Sequence, residues 1–350
     1  MADSRFRILA IRVGALGDTL MVTPLLRALH RRHPDAEIDF LASSLAAPLL
    51  ELNPNLTNLF FLRNRNWPMA MSPEKWRLIR RLRARRYDLA LLLESSSRYR
   101  RLIERVHAHE ILSYQEAPFD ACQHAIINNL RVAGIQADAA EDLNMDLPLS
   151  DDDLAQAECL LADLPKPRIG VHMGWGPLGR KRRQGARLRG WGYARFVQLI
   201  SGMLERRGGS IWLTGSPQDE KATQAVIRSI ASPRLRSIAG KTRVRELAAV
   251  IKRLDLFVSV DTGPSHMAAA VGTPSIVLWG PGKYEQTRPV STVAPICILR
   301  HPVPCAPCQS TPMQKTCRRN ICMEAITPEE VLEAAAKLLQ VPHSQFTVLS

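Results

Sequence analysis

Apolar residues fall along this chain in two alternating rhythms, short unbroken runs and stretches spaced three and four apart. Short runs predict strands buried on both faces, and the wider spacing predicts amphipathic helices. The first half reads as a strand over 6–11, a glycine loop over 14–17 and a helix over 20–32. A strand over 38–42, a short helix over 45–52, a basic helix over 73–86 and a strand over 89–93 follow. Residues 110–113 are extended and 121–132 helical, closing on Gly134. The acidic, aperiodic stretch 136–153, which contains Pro148, reads as a linker before a helix over 154–161. The pattern then restarts, with strands over 168–172, 211–214, 235–238, 256–259 and 275–278. Helices over 193–206, 219–230, 244–253 and 265–270 fall between them. A last helix over 328–339 opens on Thr327 as N-cap, with Pro328 first and Glu329 and Glu330 in its opening turn. Strands alternating with helices imply parallel sheets covered on both faces. The expected organisation is an α/β unit over 1–150, a second over 151–326, and a terminal helix and tail over 327–350.

Length agrees, since 350 residues exceed one ordinary α/β core and suit two domains. With 46% apolar and 23% charged residues the chain sits in the soluble globular class. No apolar run approaches the roughly 18 residues of a spanning helix. Residues 1–12 lack the charge and cleavage pattern of a signal peptide, so a cytoplasmic location is expected. The net charge of +14 is uneven. Arg77, Arg80, Arg81, Arg83, Arg85 and Arg86 form one cluster, continued by Arg98, Arg100, Arg101 and Arg105; Arg180, Lys181, Arg182, Arg183, Arg187 and Arg189 form another. Such fields attract polyanions, whether phosphorylated lipid, membrane surface or nucleic acid, although a solvated helix face also explains the first cluster.

Two loops carry candidate chemistry. Arg12-Val-Gly14-Ala-Leu-Gly17-Asp18-Thr19 leaves the first strand and enters a helix, where open α/β sheets place ligands. Asp18 fits two roles there, a cap for free amides or a general base for an acceptor hydroxyl, and the pattern alone favours the cap. The spacing is neither Gly-x-Gly-x-x-Gly nor a P-loop. The second loop, Asp261-Thr262-Gly263-Pro264-Ser265-His266, ends an apolar strand and starts a helix whose first amides face outward, a phosphate cradle. An ordinary capped strand-to-helix turn is its plain alternative.

These two loops, together with Ala239-Gly-Lys-Thr242 and its following Glu246, Gly272-Thr-Pro and Trp279-Gly-Pro281, resemble glycosyltransferase family 9 in order from about residue 6 to 338. These are the ADP-heptose:lipopolysaccharide heptosyltransferases and their relatives. The resemblance implies the GT-B fold, two Rossmann-like domains with parallel sheets facing across a cleft. The acceptor would lie on the first domain, the nucleotide sugar on the second, and the terminal helix would cross back toward the first. It makes Asp18 the catalytic base, beside Arg12, Gly14, Gly17 and Thr19 on the acceptor side. Donor binding falls to Asp261, Thr262, Gly263, Pro264 and His266, with Thr242, Gly174 and Gln218 at neighbouring turns. Where the family usually carries a lysine two residues before a tryptophan, this chain has Arg189-Gly-Trp191, and a guanidinium differs from an ammonium in reach and geometry.

The implied reaction is heptose transfer from ADP-heptose to an inner-core lipopolysaccharide acceptor by inverting displacement, with no cofactor or metal needed for the chemistry. The partners implied are ADP-heptose or a related nucleotide sugar, a lipid-linked anionic glycan and an anionic membrane surface at the inner face of the inner membrane, with no nucleic acid. Other acceptors, a protein or another glycan, and other nucleotide sugars fit the same motifs. A non-catalytic nucleic-acid-binding protein is disfavoured by an aromatic content of 5% and by the lack of a recognised motif. Seven cysteines include Cys305, Cys308, Cys317 and Cys322 within a short segment. Their spacing admits a structural zinc or iron ion, disulfides or unliganded thiols. Cys122, Cys159 and Cys297 read as core residues.

Overall fold

The computed structural model describes residues 5–64, 66–68, 71–94, 96–174, 188–206 and 208–340, and the chain divides into two units, Met1–Pro148 and Leu149–Ser350. The basic run over 180–187 and the tail over 341–350 lie outside the described residues.

In the first unit, strands β1 (Arg7–Arg12), β2 (Glu37–Ser43), β3 (Asn58–Leu62), β4 (Leu89–Leu92) and β5 (Glu110–Ser113) form a parallel sheet in the order β3-β2-β1-β4-β5. Ile8, Leu9, Ala10 and Ile11 of the central strand are fully buried, as expected where helices cover both faces. The helix expected over 20–32 is two helices, α1 (Leu16–Leu20) and α2 (Thr23–Arg32). Pro24 has no amide to offer the carbonyl of Leu20, and the Thr23 hydroxyl donates to it instead, at 2.8 Å. The stretch 45–52 holds only a single 3₁₀ turn, Ala47–Leu49.

Further along, α3 (Pro73–Ala84) is the basic helix, α4 (Ser97–Glu104) continues the arginine pattern, and α5 (Ala125–Val132) starts four residues later than expected, with His124 as its cap. The acidic stretch read as a linker is largely tied down. Arg27 of α2 pairs with Asp146 and donates to the carbonyls of Glu141, Asp142 and Asn144, and Arg31 meets Asp142 at 2.9 Å.

The second unit opens with α6 (Asp151–Leu161), capped by Ser150, whose hydroxyl accepts from the amide of Asp153. Strands β6 (Arg168–His172), β7 (Ser210–Thr214), β8 (Leu235–Ser237), β9 (Leu256–Val260), β10 (Ser275–Leu278) and β11 (Ile296–Leu299) run parallel in the order β11-β10-β9-β6-β7-β8. Helices α7 (Tyr193–Arg206), α8 (Glu220–Ile230), α9 (Val244–Lys252) and α10 (Gly263–Val271) alternate with them. Short helices α11 (Tyr284–Thr287), α12 (Met313–Thr316) and α13 (Ile321–Glu324) precede the terminal α14 (Pro328–Leu338). That last helix packs on α7, β10 and β11, with Val331 and Ala335 buried in the core of this unit.

Each sheet therefore reverses its strand order beside its own first strand, between β1 and β4 and between β6 and β9. In open α/β sheets that reversal leaves a crevice at the carboxyl ends of the two strands, where ligands bind.

Close packing at the centre of the second sheet yields a test. A Cβ at Gly170 would stand 2.3 Å from Leu254 Cδ1 and 2.8 Å from the Phe257 ring. Gly170→Ala should therefore lower stability by about 1–3 kcal/mol, measured by denaturant titration.

Candidate active site

The loop leaving β1 builds a fixed carboxylate. Asp18 lies in the first turn of α1, where its Oδ2 accepts from the amide of Ala15 at 3.0 Å and its Oδ1 meets Arg12 Nη2 at 2.9 Å. Its side chain is 34% exposed, so it is anchored and still reachable. Gly14 makes the room: a Cβ there would stand 2.7 Å from Asp18 Cβ and 2.9 Å from its Oδ2. The carbonyl of Gly14 accepts from the Ser43 hydroxyl at 2.8 Å, which pins the loop to the end of β2. Gly17 and Thr19 are buried in α1 and shape the turn from inside.

Arg12 is held from several sides. Its guanidinium donates to the carbonyl of Leu93 and stands 4.0 Å from Glu94, just past the end of β4. Burial opposes its charge, and the carboxylates of Asp18 and Glu94 outweigh that cost, holding it above its ordinary range. Tyr114 shares this surround. Burial is the main reason its phenol is pushed up to about 12; nearby Arg12 opposes the rise while Glu94 and Asp18 add to it. The Tyr114 hydroxyl donates to Asn129 Oδ1 at 2.7 Å, and Asn129 donates to the carbonyl of Met21 at 2.9 Å, which ties the cluster to α5. Glu94, Tyr114 and Asn129 escaped the sequence reading. The usable signal was a carboxylate directly after a buried strand, which the reversal of strand order sets beside β1.

The second unit repeats the turn. A Cβ at Gly215, after β7, would stand 2.8 Å from Asp219 Cβ, and Asp219 Oδ2 accepts from the amide of Ser216 at 2.8 Å. Here the Ser216 hydroxyl also donates to that oxygen, at 2.6 Å, and Asp219 is buried.

At the carboxyl ends of β6 and β9 the second unit carries its own site. Pro264 occupies the first turn of α10, and the Thr262 hydroxyl bonds to the carbonyl of Val260 and to Ser259, both at 3.2 Å, without capping the helix. Pro264 has no amide to offer and Ser265 N donates to the carbonyl of Thr262 at 3.1 Å, so Gly263 presents the first amide at the strand end. His266 and Asp261 are buried. Asp261 Oδ2 lies 3.3 Å from Arg189 Nε, and the carbonyl of Asp261 accepts from Arg189 Nη1 at 3.3 Å. Burial pushes the Asp261 carboxyl up and Arg189 draws it back down.

Gly174, at φ +75°, lies against Val260, where a Cβ would come within 2.1 Å of Val260 Cγ2. The loop after β10 closes in from the other side: Trp279 Nε1 donates to the carbonyl of Gly282, and a Cβ at Gly282 would meet Asp261 Oδ2 at 2.6 Å. Exposed Gln218 and half-buried Thr242 sit on the turns after β7 and β8, which the bond from Gly240 N to the carbonyl of Gly215 joins at 3.0 Å. The structure thus brings Arg189, Asp261, Thr262, Gly263, Pro264, His266 and Gly174 to one strand end, with Gln218 and Thr242 farther along the same edge of the sheet.

The cysteine readings change. Cys122 and Cys159 are exposed, because they lie in a turn and on the outer face of α6, whereas half-buried Cys297 packs against the core of the second unit as expected. Cys308 and Cys322 are buried, and Cys305 and Cys317 half-buried. Burial, with Cys308 and Cys305 adding to it, pushes the Cys322 thiol up to about 11. Cys317 Sγ donates to the carbonyl of Arg319 at 3.4 Å and Cys322 Sγ to Asn320 Oδ1 at 3.2 Å. Cys308 feels the charges of Cys305 and Cys317, and Cys322 those of Cys308 and Cys305, so the four thiols lie near one another, although among the described residues no group of three or more potential ligands is arranged to hold a metal ion. Nor is any helix among the described residues long and apolar enough to cross a membrane.

Two parallel sheets of this kind, each reversing its order beside its own first strand, are those of a GT-B glycosyltransferase fold. Solved structures agree: the glycosyl transferase family 9 protein of Veillonella parvula superimposes with a TM-score of 0.79 at 20% identity, covering 97% of this chain and 98% of that one. The ADP-heptose lps heptosyltransferase II of E. coli gives 0.74 at 22% identity, over 95% and 98% of the two chains. The model of glycosyltransferase family 9 (heptosyltransferase) matches residues 75–318, and the chain belongs to that family. Lipopolysaccharide heptosyltransferase 3 of Escherichia coli is 29% identical over 293 residues, 79% of this chain and 84% of its own. The protein is therefore a glycosyltransferase.

Two outcomes are expected. Gly14→Ala must displace Asp18, and a shift near 1 Å should cut the transfer rate by about 100-fold with little change in donor affinity, read by steady-state kinetics and calorimetry. His172 donates to or accepts from Thr214 at 2.9 Å, and burial lowers its pKa from 6.5 to about 4. Between those values the unfolded chain binds the extra proton and the folded chain does not, so stability is lost as pH falls through this window, by up to about 3 kcal/mol. Denaturation of His172→Gln at pH 7 and pH 4 should show a correspondingly smaller acid loss.

Proposed function

We propose that this glycosyltransferase moves heptose from ADP-heptose to a lipid-linked, anionic lipopolysaccharide inner core at the cytoplasmic face of the inner membrane, with inversion at the anomeric carbon and Asp18 as general base. The observation that carries the reading is the anchored, partly exposed carboxylate of Asp18 at the reversal point of the first sheet, ion-paired to the mostly buried Arg12. The heptosyltransferase relatives supply the donor and the acceptor class.

In the proposed reaction an acceptor hydroxyl attacks the anomeric carbon opposite the diphosphate. The new carbon–oxygen bond forms as the carbon–phosphate-oxygen bond breaks, the hydroxyl proton passes to Asp18, and the bonding electrons leave with ADP. Arg12 keeps Asp18 aimed. The hydroxyl proton becomes acidic as the new bond forms and passes to the carboxylate. On the donor side the amides at Gly263 and the guanidinium of Arg189 take up charge developing on the diphosphate. Buried Asp261, an anion itself, would repel phosphate; its part is to hold Arg189 in place. Gln218 and Thr242, on their turns farther along the edge, are assigned to the nucleoside, and His266 and Gly174 to the shape of the cradle. Every step uses groups of this chain.

The test is transfer from ADP-heptose to heptose-deficient core, followed by mass spectrometry, with product anomer read by NMR. Asp18→Asn keeps an oxygen for the Ala15 amide and should lower kcat by about 10²–10⁴-fold at nearly constant KM for the donor. Product from another nucleotide sugar and none from ADP-heptose would refute the donor; an unchanged kcat in Asp18→Asn would refute the base.

A further inference from the structure

The Arg189 guanidinium is held only loosely by its own bonds. Its Nε stands 3.3 Å from Asp261 Oδ2, and Nη1 donates to the Asp261 carbonyl, also at 3.3 Å. Bonds of that length lie beyond the favoured range, so the aim of the planar fork depends on the backbone that carries it. The side chain is 29% exposed and can be reached by a ligand.

A remote part of the chain holds that backbone. The carbonyl of Gly190, next to Arg189, accepts from the side-chain Nδ2 of half-buried Asn320 at 3.0 Å, across 130 residues of sequence. The Asn320 amide is itself oriented: its Oδ1 accepts from Cys322 Sγ at 3.2 Å, which leaves the nitrogen to face Gly190. Trp191 Nε1 donates to the carbonyl of Ile326 at 2.9 Å and Arg195 to that of Glu324 at 3.3 Å, so the turn before α7 is tied to 320–326 at three points. The same segment meets the loop after β10, where a Cβ at Gly280 would come within 2.4 Å of Met323 Sδ and 3.3 Å of Cys322 Sγ. Two residues on, Gly282 lies against Asp261 Oδ2. Residues 320–326 therefore bear on both members of the Arg189–Asp261 pair while belonging to neither loop.

We propose that Asn320 is a positioning residue for Arg189, setting through the Gly190 carbonyl where the guanidinium meets a nucleoside diphosphate. The inference rests on the donor-site reading above, in which Arg189 takes up charge on the diphosphate. A neutral amide bonded to backbone brings no charge to the ligand, so its contribution is aim. A fork displaced by about 1 Å loses one of its two parallel bonds to phosphate. A brace of the fold would matter whatever stands at 189; a positioning residue matters only while the guanidinium is there to be aimed.

The experiment is a double-mutant cycle on the full chain, with ADP as the probe and calorimetry as the readout. Arg189→Gln should weaken ADP binding by about tenfold or more, as expected for a charge-assisted contact to phosphate. Asn320→Ala should weaken it by about three- to tenfold, the range of one lost hydrogen bond. In the Arg189→Gln background the same Asn320→Ala change should cost less than about twofold, because nothing is left to aim. Asn320→Leu keeps the side-chain volume without either bond, and it should reproduce this pattern should Asn320→Ala lower the melting temperature. Equal losses in the two backgrounds would overturn the proposal, since Asn320 would then brace the fold; so would unchanged ADP affinity in both Asn320 variants. Unchanged affinity in Arg189→Gln would overturn the donor-site reading and this inference together, whereas a loss there without coupling to Asn320 counts against the inference alone.

Discussion

The ion pair between Arg12 and Asp18 is the contact on which the proposed chemistry of the first unit rests. A guanidinium that is mostly buried needs anionic partners, and the strand order supplies them. With β4 next to β1, Glu94 and the carbonyl of Leu93 arrive on one side of Arg12 while Asp18 arrives on the other. Gly14 and Ser43 then fix the backbone so that the carboxylate has little freedom. Topology, packing and electrostatics converge on one oxygen pair at the rim of the sheet.

The second unit solves a different problem with related means. A helix beginning at Gly263 can receive negative charge, but only if nothing from the chain itself covers its first amides. Thr262 leaves the Gly263 amide open by turning its hydroxyl back to the strand, while its carbonyl takes the amide of Ser265, and Asp261 sinks below the surface to pair with Arg189. The glycines at 174 and 282 are the reason this carboxylate and its neighbours fit.

Much of this architecture was legible in the sequence. Runs such as 168–172 and 275–278 are buried on both faces, so composition alone marks them as strands. The two sheets, and the loops at Asp18 and Asp261, followed from that rhythm and from the family resemblance. What escaped reading has physical causes. Strands β3 and β11 lie at sheet edges, half-exposed, so Phe61 and Ile298 sit in patterns that resemble loops. The break after Leu20 depends on a hydroxyl replacing an amide, which periodicity does not register. The acidic stretch before Pro148 read as linker because its partners, Arg27 and Arg31, lie more than a hundred residues earlier. Glu94 and Tyr114 join the site only through strand order, and exposure of Cys122 and Cys159 reflects positions that their residue type disguises.

The two units carry similar turns, Gly14-Ala-Leu-Gly-Asp18 and Gly215-Ser-Pro-Gln-Asp219, and one difference between them is an oxygen atom beside the carboxylate. Ser216 spends its hydroxyl on Asp219, which makes that carboxylate a purely internal brace. Ala15 stands at the matching place in the first unit and has no hydroxyl to give. A methyl group in place of an alcohol thus separates a structural acid from one that faces solvent. What a neighbour lacks thus shapes the surroundings of a carboxylate, a form of design that motif lists pass over because alanine is never counted among functional residues.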